Sequence, residues 1–541
     1  MYQSNSLTLK KTQSMKKIKI LNISSFLFAT LFFTGQLFAQ FINGQSADLV
    51  LGQPDFTTIS DATTASKMYD PYGQAFHPVS GKFYVADGSN NRILRFPSVL
   101  SSSMNAEAVL GQSDFISSSS TTSASKLSFP SGTHIDKDGN LWVADYSNYR
   151  VLMFKNVATL SNIVSADLVL GQANFDSAVL GSANQSNFDS GLEGIFVDNN
   201  GRLWVADYGN GRVLWFNNAA NLANGAPADG VLGQTDFTST SGGVTASLMN
   251  GASGVFVDKD DRLWVADYSN NRVLRFDNAS NLPATGAVAN SVLGQPDFTS
   301  STDGPTQSLM YGPNRLYVDS MGTLWVVEYS SHRILGYYNA AEKANGAPAD
   351  IVLGQPNFIS GNSGSDEKSL DNPIEITVDF QGRLLVADYG NNRILRFSHP
   401  AAQPDARVTY KKKTKGKNKI NATGKRQKLL IDMLKGRKKL QVTFNIKNNS
   451  TLNPDAFKII GSNFNKKAFK IRYYHKGTEV TNLITSGEFL LKNINPGETG
   501  KIIAKISTRS SDSLLNRKIK LSAESTIDSA LVDVVRAHIR R

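Results

Sequence analysis

The chain of 541 residues contains no cysteine. That excludes a disulfide framework, a thiolate metal site and a cysteine nucleophile. Histidine is nearly as scarce, with six in all, and no H-E-x-x-H, G-x-S-x-G or phosphate-loop pattern is present. Long apolar runs are missing as well. The one candidate is Phe26–Phe33, which follows Lys16, Lys17 and Lys19 and precedes Leu37-Phe38-Ala39. This reads as a secretory signal over residues 1–39, with Met15 as its expected start. Gly35 and Gln36 interrupt the run, which is short for the ~20 residues of a membrane span. An exported chain without cysteine fits a bacterial periplasm, cell surface or extracellular space.

Negative charge is abundant in the middle of the chain and sparse in its C-terminal quarter. Residues 40–406 hold 21 Lys and Arg against 36 Asp and Glu, whereas residues 407–439 hold 14 against one. Residues 440–541 hold 17 against 8, so the net charge of +12 hides an acidic middle and a basic end. The acidic middle disfavours a nucleic-acid-binding face there.

What is abundant is repetition. The motif V-L-G-Q-x-(D/N)-F begins at Val50, Val109, Val169, Val231, Val292 and Val352, and its glycines are spaced by 59, 60, 62, 61 and 60 residues. A second block, typified by GVFVDKDDRLWVADYSNNRVLRF, keeps the same period, beginning near Gly73, Gly132, Gly194, Gly254, Arg315 and Glu375. Each copy decodes into a short β-rich run, a tight turn, an alternating strand, a Y-S-N-N turn and a third strand, with V-L-G-Q as a fourth. Four antiparallel strands repeated radially describe a β-propeller blade. The first V-L-G-Q precedes the first block and the last block lacks one, so the N-terminal strand is expected to complete the sixth blade and close the ring.

The pattern G-(I/V)-x-V-D-x-x-G-x-L-(W/Y)-V-A-D-Y-x-N-x-R-(V/I)-L-x-F resembles the NHL repeat. Asn271-Arg272-Val273 and Ser331-His332-Arg333-Ile334 carry the resemblance to its turn. The resemblance implies a propeller over residues 46–399. It leaves function open, because NHL propellers serve as RNA binders, protein scaffolds and, in one branch, lyases. Those lyases need converging His ligands with a catalytic Arg and Tyr, whereas His77 and His134 fall at different positions of adjacent blades. The long Ser/Thr/Gly loops that follow V-L-G-Q exceed the compact family pattern and are expected to carry specificity.

A residue present in every copy serves the blade, and a single site must break the symmetry. Asp87, Asp145, Asp207, Asp267, Glu328 and Asp388, with the six arginines that follow, are expected to accept turn amides and to pair between blades. Trp142, Trp204, Trp264 and Trp325 are expected in the core, and Trp215 is expected to pack there too. Asymmetry appears at the channel mouth, where Tyr72, Ser131, Glu193, Ser253, Asn314 and Glu375 are aligned and Arg315 replaces a glycine. Tyr72, Glu193, Asn314, Arg315 and Glu375 are therefore the candidate ligand site. Its oxygens would suit calcium, and a hydrated polar plug is the alternative. No other cofactor is expected.

Residues 400–439 read as a basic linker. Lys411, Lys412, Lys413, Arg437, Lys438 and Lys439 are its candidates for contact with a polyanion such as an anionic envelope polymer. Residues 440–541 show six or seven strands with polar turns, which suggests an immunoglobulin-like sandwich. The sequence therefore reads as an all-β protein, a six-bladed NHL-type propeller followed by a sandwich. The function expected is non-enzymatic: an exported binding or scaffolding protein that holds protein or glycan ligands on the long-loop face. The alternative is a metal-assisted lyase or hydrolase with its site in the channel.

Overall fold

Blade four shows why these residues form these elements. Its inner strand, Ala252–Val257, ends at Asp258, whose carboxylate accepts the amides of Asp260 and Arg262 at 2.9 and 3.1 Å. That local bonding closes the tight turn into Arg262–Asp267. A single 3-10 turn, Tyr268–Asn270, follows, and Asn271 takes a left-handed φ of 53° to reverse the chain into Arg272–Asp277. The outer strand is Ser291–Leu293.

The strands read as nearly continuous hydrophobic runs because both faces of a blade are covered. Leu263, Val265, Leu274 and Phe276 pack with Trp204 and Trp215 of blade three. Their neighbours Trp264, Ala266 and Val273 pack with Leu324, Val326 and Tyr337 of blade five. Trp142, Trp204, Trp264 and Trp325 are buried, and each indole N–H donates to the turn aspartate six residues earlier at 2.9–3.0 Å. Trp215 is buried as well, its ring 5.4 Å from that of Trp204.

The computed structural model describes residues 41–159, 162, 164–399, 404–410, 413–415, 428–432, 439–448, 455–463, 465–466, 469–494, 499–508, 516–525 and 532–540. The expected signal segment lies outside them. Six four-stranded antiparallel sheets form the propeller. The inner strands, beginning at Pro71, Pro130, Leu192, Ala252, Pro313 and Pro373, each contact the next, and the last contacts the first. Blade six is completed by Leu49–Leu51, which pairs with Arg393–Phe397 in the register Leu49↔Arg396, Val50↔Leu395, Leu51↔Ile394. Closure satisfies an edge that would otherwise stand open.

The repeated acid and arginine pair within each blade, not between blades as the sequence suggested. They stand five residues apart across the second hairpin, as in Asp267 and Arg272, where Nε donates to the carboxylate at 2.7 Å. The rest of the guanidinium is turned toward backbone. Arg272 donates to the carbonyls of Thr245 and Leu248, both at 2.8 Å, in the loop before its blade, and to Phe298 at 2.6 Å in the loop after it. The motif glutamine adds a second tether, with Gln295 Nε2 donating to Asn271 O at 2.9 Å and Thr302 O at 2.7 Å. A buried ion pair in each blade therefore holds the long loops in place, aided by a buried glutamine amide at five of the six repeats; Gln234 donates only to the turn carbonyls of Asn210 and Gly211.

Beyond the propeller lies an immunoglobulin-like sandwich of a seven-stranded and a five-stranded sheet. Its core includes Val442, Phe444, Ile459, Tyr473, Ile502, Leu521 and Ile539. The basic segment read as a linker contributes strands to both sheets. Pro404–Tyr410 pairs with Lys439–Asn448, Lys413–Lys415 pairs with Pro404–Tyr410, and Lys428–Asp432 runs parallel to Val532–Arg540. Lysine content concealed the β pattern here, because an alternating strand needs only every second residue to be apolar.

Candidate channel site

Every inner strand carries a register shift at its start, on the long-loop side of the channel. Such bulges re-aim side chains. Just there, Gly73, Gly132, Gly194 and Gly254 let neighbouring inner strands approach closely. A β-carbon on Gly254 would lie 2.5 Å from Asn314 O, and one on Gly132 would lie 2.2 Å from Glu193 O. The register places Arg315 and Glu375 at the positions those glycines hold. Glu375 is thus equivalent to Gly194, and Ile374 to Glu193, one residue away from the alignment expected from sequence. The bulge absorbs that offset, and both carboxylates still reach Arg315.

The result is a charged bar across the channel. Arg315 Nη1 donates to Glu193 Oε2 at 3.0 Å, to Ser253 O at 2.6 Å and to Asn314 Oδ1 at 3.0 Å. Its Nε stands 3.3 Å from Glu375 Oε2. Blades three to six therefore meet on one guanidinium, while Gln74 of blade one donates to the carbonyls of Glu375 and Leu385. Burial pushes the carboxyls of both Glu193 and Glu375 up, against the pull of Arg315, and Glu375 reaches about 7. The position between the two carboxylates, where calcium would be expected, is held by the guanidinium. Ser131 and Ser253 are fully buried and donate to carbonyls of the next inner strand.

Tyr72 belongs to a different layer. Its ring lies 5.6 Å from Phe129 and 5.5 Å from Tyr389, and burial raises its hydroxyl well above the usual range. The series continues around the mouth through Phe129–Tyr146 at 5.6 Å, Tyr208–Tyr268 at 5.8 Å and Tyr329–Tyr389 at 6.5 Å. All are partly buried. This aromatic collar, Tyr72 apart, was not among the candidates read from sequence. Its signal was the tyrosine that opens the second turn in five of six copies. Blade one has Gly88 there, and Tyr72 with Phe129 fills the place. Phe129 adopts φ 51°, a conformation costly for a bulky side chain, with its amide held by Asn91 Oδ1 at 2.8 Å.

The histidines serve turns and walls. His77 Nδ1 accepts the amides of Val79 and Ser80, and His332 Nδ1 accepts that of Asn372. Among the described residues no three His, Asp or Glu side chains converge on a point where a metal could sit. No described helix is long and apolar enough to cross a membrane. Of the basic candidates, Lys413 lies in a strand and Lys439 opens another, exposed, while Lys411, Lys412, Arg437 and Lys438 lie outside the described residues.

The NHL repeat family matches residues 127–154, 190–216 and 249–276, parts of blades two, three and four. No curated protein matches the chain. Among solved structures, a streptogramin B lyase is 13% identical, with 63% of this chain and 95% of that one covered at a TM-score of 0.34. PorZ, a surface component of the type-IX secretion system of Porphyromonas gingivalis, is 11% identical over 86% and 51%, TM-score 0.36. A chain of a nidogen/laminin complex is 16% identical over 58% and 96%, TM-score 0.33. At this identity and overlap none of them assigns a function to the chain.

Proposed function

We propose that this chain, which belongs to the NHL-repeat propeller proteins, is an exported, non-enzymatic binding or scaffolding protein that holds a protein or glycan ligand on its long-loop face. The observation that carries the reading is the collar of Tyr72, Phe129, Tyr146, Tyr208, Tyr268, Tyr329 and Tyr389 around the channel mouth. Tyrosine offers a large rigid face and a hydroxyl at little entropic cost, which suits recognition of polypeptides and sugars. The tethered loops around it supply a preorganised rim, which lowers the ordering cost of association. The reading rests on the collar alone and invokes no metal. Residues 407–439 would add contacts to an anionic envelope polymer.

The test is a glycan array and a displayed peptide library probed with the full chain and with Tyr208→Ala, Tyr268→Ala and Phe380→Ala. Hits that weaken at least tenfold in the two collar variants and persist in Phe380→Ala, on the opposite face, support the reading. Hits indifferent to the collar overturn it.

A further inference from the structure

Beyond the Arg315 bar, toward the turns that join first and second strands, the channel holds a cavity of about 290 Å³. One equivalent inner-strand position carries His134, Phe196, Phe256 and Tyr317 in blades two to five. Their rings follow one another at 4.5, 4.6 and 4.8 Å, a continuous arc along one wall. In blades six and one the same position holds Thr377 and Ala75, which leaves the space open on that side. Phe380 stands at the rim, 63% exposed.

The inner end of this cavity is charged. Arg315 and Glu375 line it, and Glu193 stands behind Arg315. Two carboxylates share one guanidinium, so the ionised group carries one surplus negative charge, and burying such a charge is costly until a cation balances it. Aromatic faces present negative potential that strengthens when water is excluded. His134 does not oppose a cation, since burial pushes its imidazole down to about 4 and keeps it neutral.

We propose that this cavity binds a small organic monocation, an alkylated ammonium, with its charge toward Glu375 and its alkyl groups against the arc of Phe196, Phe256 and Tyr317. The site lies on the other side of the Arg315 bar from the tyrosine collar and does not depend on the collar's ligand. The groups that face Glu375 are Arg315, the Ile376 amide and, through Arg315, Glu193.

The experiment is calorimetric titration of the full chain with choline and with its neutral carbon isostere, 3,3-dimethylbutan-1-ol. Choline is expected to bind at least tenfold more tightly at pH 8. Its affinity falls about tenfold at pH 6, as the Glu375 carboxyl near about 7 takes up its proton. Glu375→Gln weakens choline tenfold or more and leaves the isostere unchanged, whereas Phe256→Leu weakens both. Equal affinity for cation and isostere, or choline binding that ignores pH in the unmodified chain, overturns the proposal. So does saturation by methyl glucoside where choline fails, which would assign a polyol to the cavity instead.

Discussion

Replacing Glu375 by glutamine should stabilise the propeller above neutral pH and leave it unchanged in mild acid. The folded protein holds the Glu375 proton up to about 7, against 4.5 for an ordinary glutamate, because burial opposes the charged form more than Arg315 favours it. The sign follows from linkage. A carboxyl whose folded pKa is raised contributes stability that is fully present below 4.5 and is lost as pH rises through about 7. That interval corresponds to about 3 kcal/mol at most, and the side chain is only 13% exposed, so solvent screening reduces it modestly. Glutamine reproduces the protonated acid and leaves Arg315 with Glu193 in a balanced pair. All five tryptophans lie in the blades, so urea unfolding followed by tryptophan fluorescence reports on the propeller alone. Asp87 and Asp388, raised by burial to about 6, titrate in the same window in both proteins and cancel in the difference. The difference between variant and parent should be near zero at pH 4.5 and approach ~3 kcal/mol at pH 8, or about 4 °C in Tm for a propeller of roughly 350 residues. A difference that does not change with pH, or a variant less stable at pH 8, refutes the reasoning.

Deleting Leu49–Leu51 removes the closing strand and bares the edge of Arg393–Phe397; light scattering should then show self-association, and an unchanged monomer with unchanged Tm would count against closure. Arg212→Leu strands the buried Asp207 carboxylate and frees the loop carbonyls of Asn184 and Asn187. The expected cost is ~3–5 kcal/mol, with faster hydrogen exchange confined to the two loops flanking blade three; a loss below 1 kcal/mol would show that the tether contributes little. Reversing Lys411, Lys412 and Lys413 to glutamate should elute the full chain from heparin at lower salt. The log–log salt slope should fall by roughly 0.9 for each anionic group no longer neutralised, if the value for duplex DNA applies. Unchanged elution would leave the basic segment with its strand role alone.

The repeat made much of the fold legible from the chain itself. Six copies of one hydrophobic pattern can bury both faces only by stacking against one another, so spacing, strand order and the displaced first V-L-G-Q together point to a closed ring. The buried tryptophans and the turn asparagines follow from the same period. Arg315 and Glu375 were also visible, Arg315 because it stands where other copies carry glycine and Glu375 as a carboxylate at the mouth, although only the register shows that it too holds a glycine position. The collar was harder to see, since a tyrosine in five turns looks like turn chemistry until the ring brings those turns to one mouth. The strands within residues 404–432 were hidden for another reason. Composition there is dominated by lysine, and pairing decides that conformation: Pro404–Tyr410 with Lys439–Asn448, and Lys428–Asp432 with Val532–Arg540, about a hundred residues away.

Local sequence therefore determined each blade, through apolar strand runs, left-handed asparagines and a turn residue that accepts amides, aspartate in five blades and His77 in the first, and its repetition determined how many blades there are. The tertiary structure decided what the channel contains. Whether Glu193 and Glu375 share one guanidinium depends on bulges that offset the register of the inner strands and on the distance across a closed ring. It likewise decided that His134, Phe196, Phe256 and Tyr317 form one continuous wall, although consecutive members lie about sixty residues apart in the chain. Neither property belongs to any single repeat, because a channel exists only once the sixth blade has paired with the first strand.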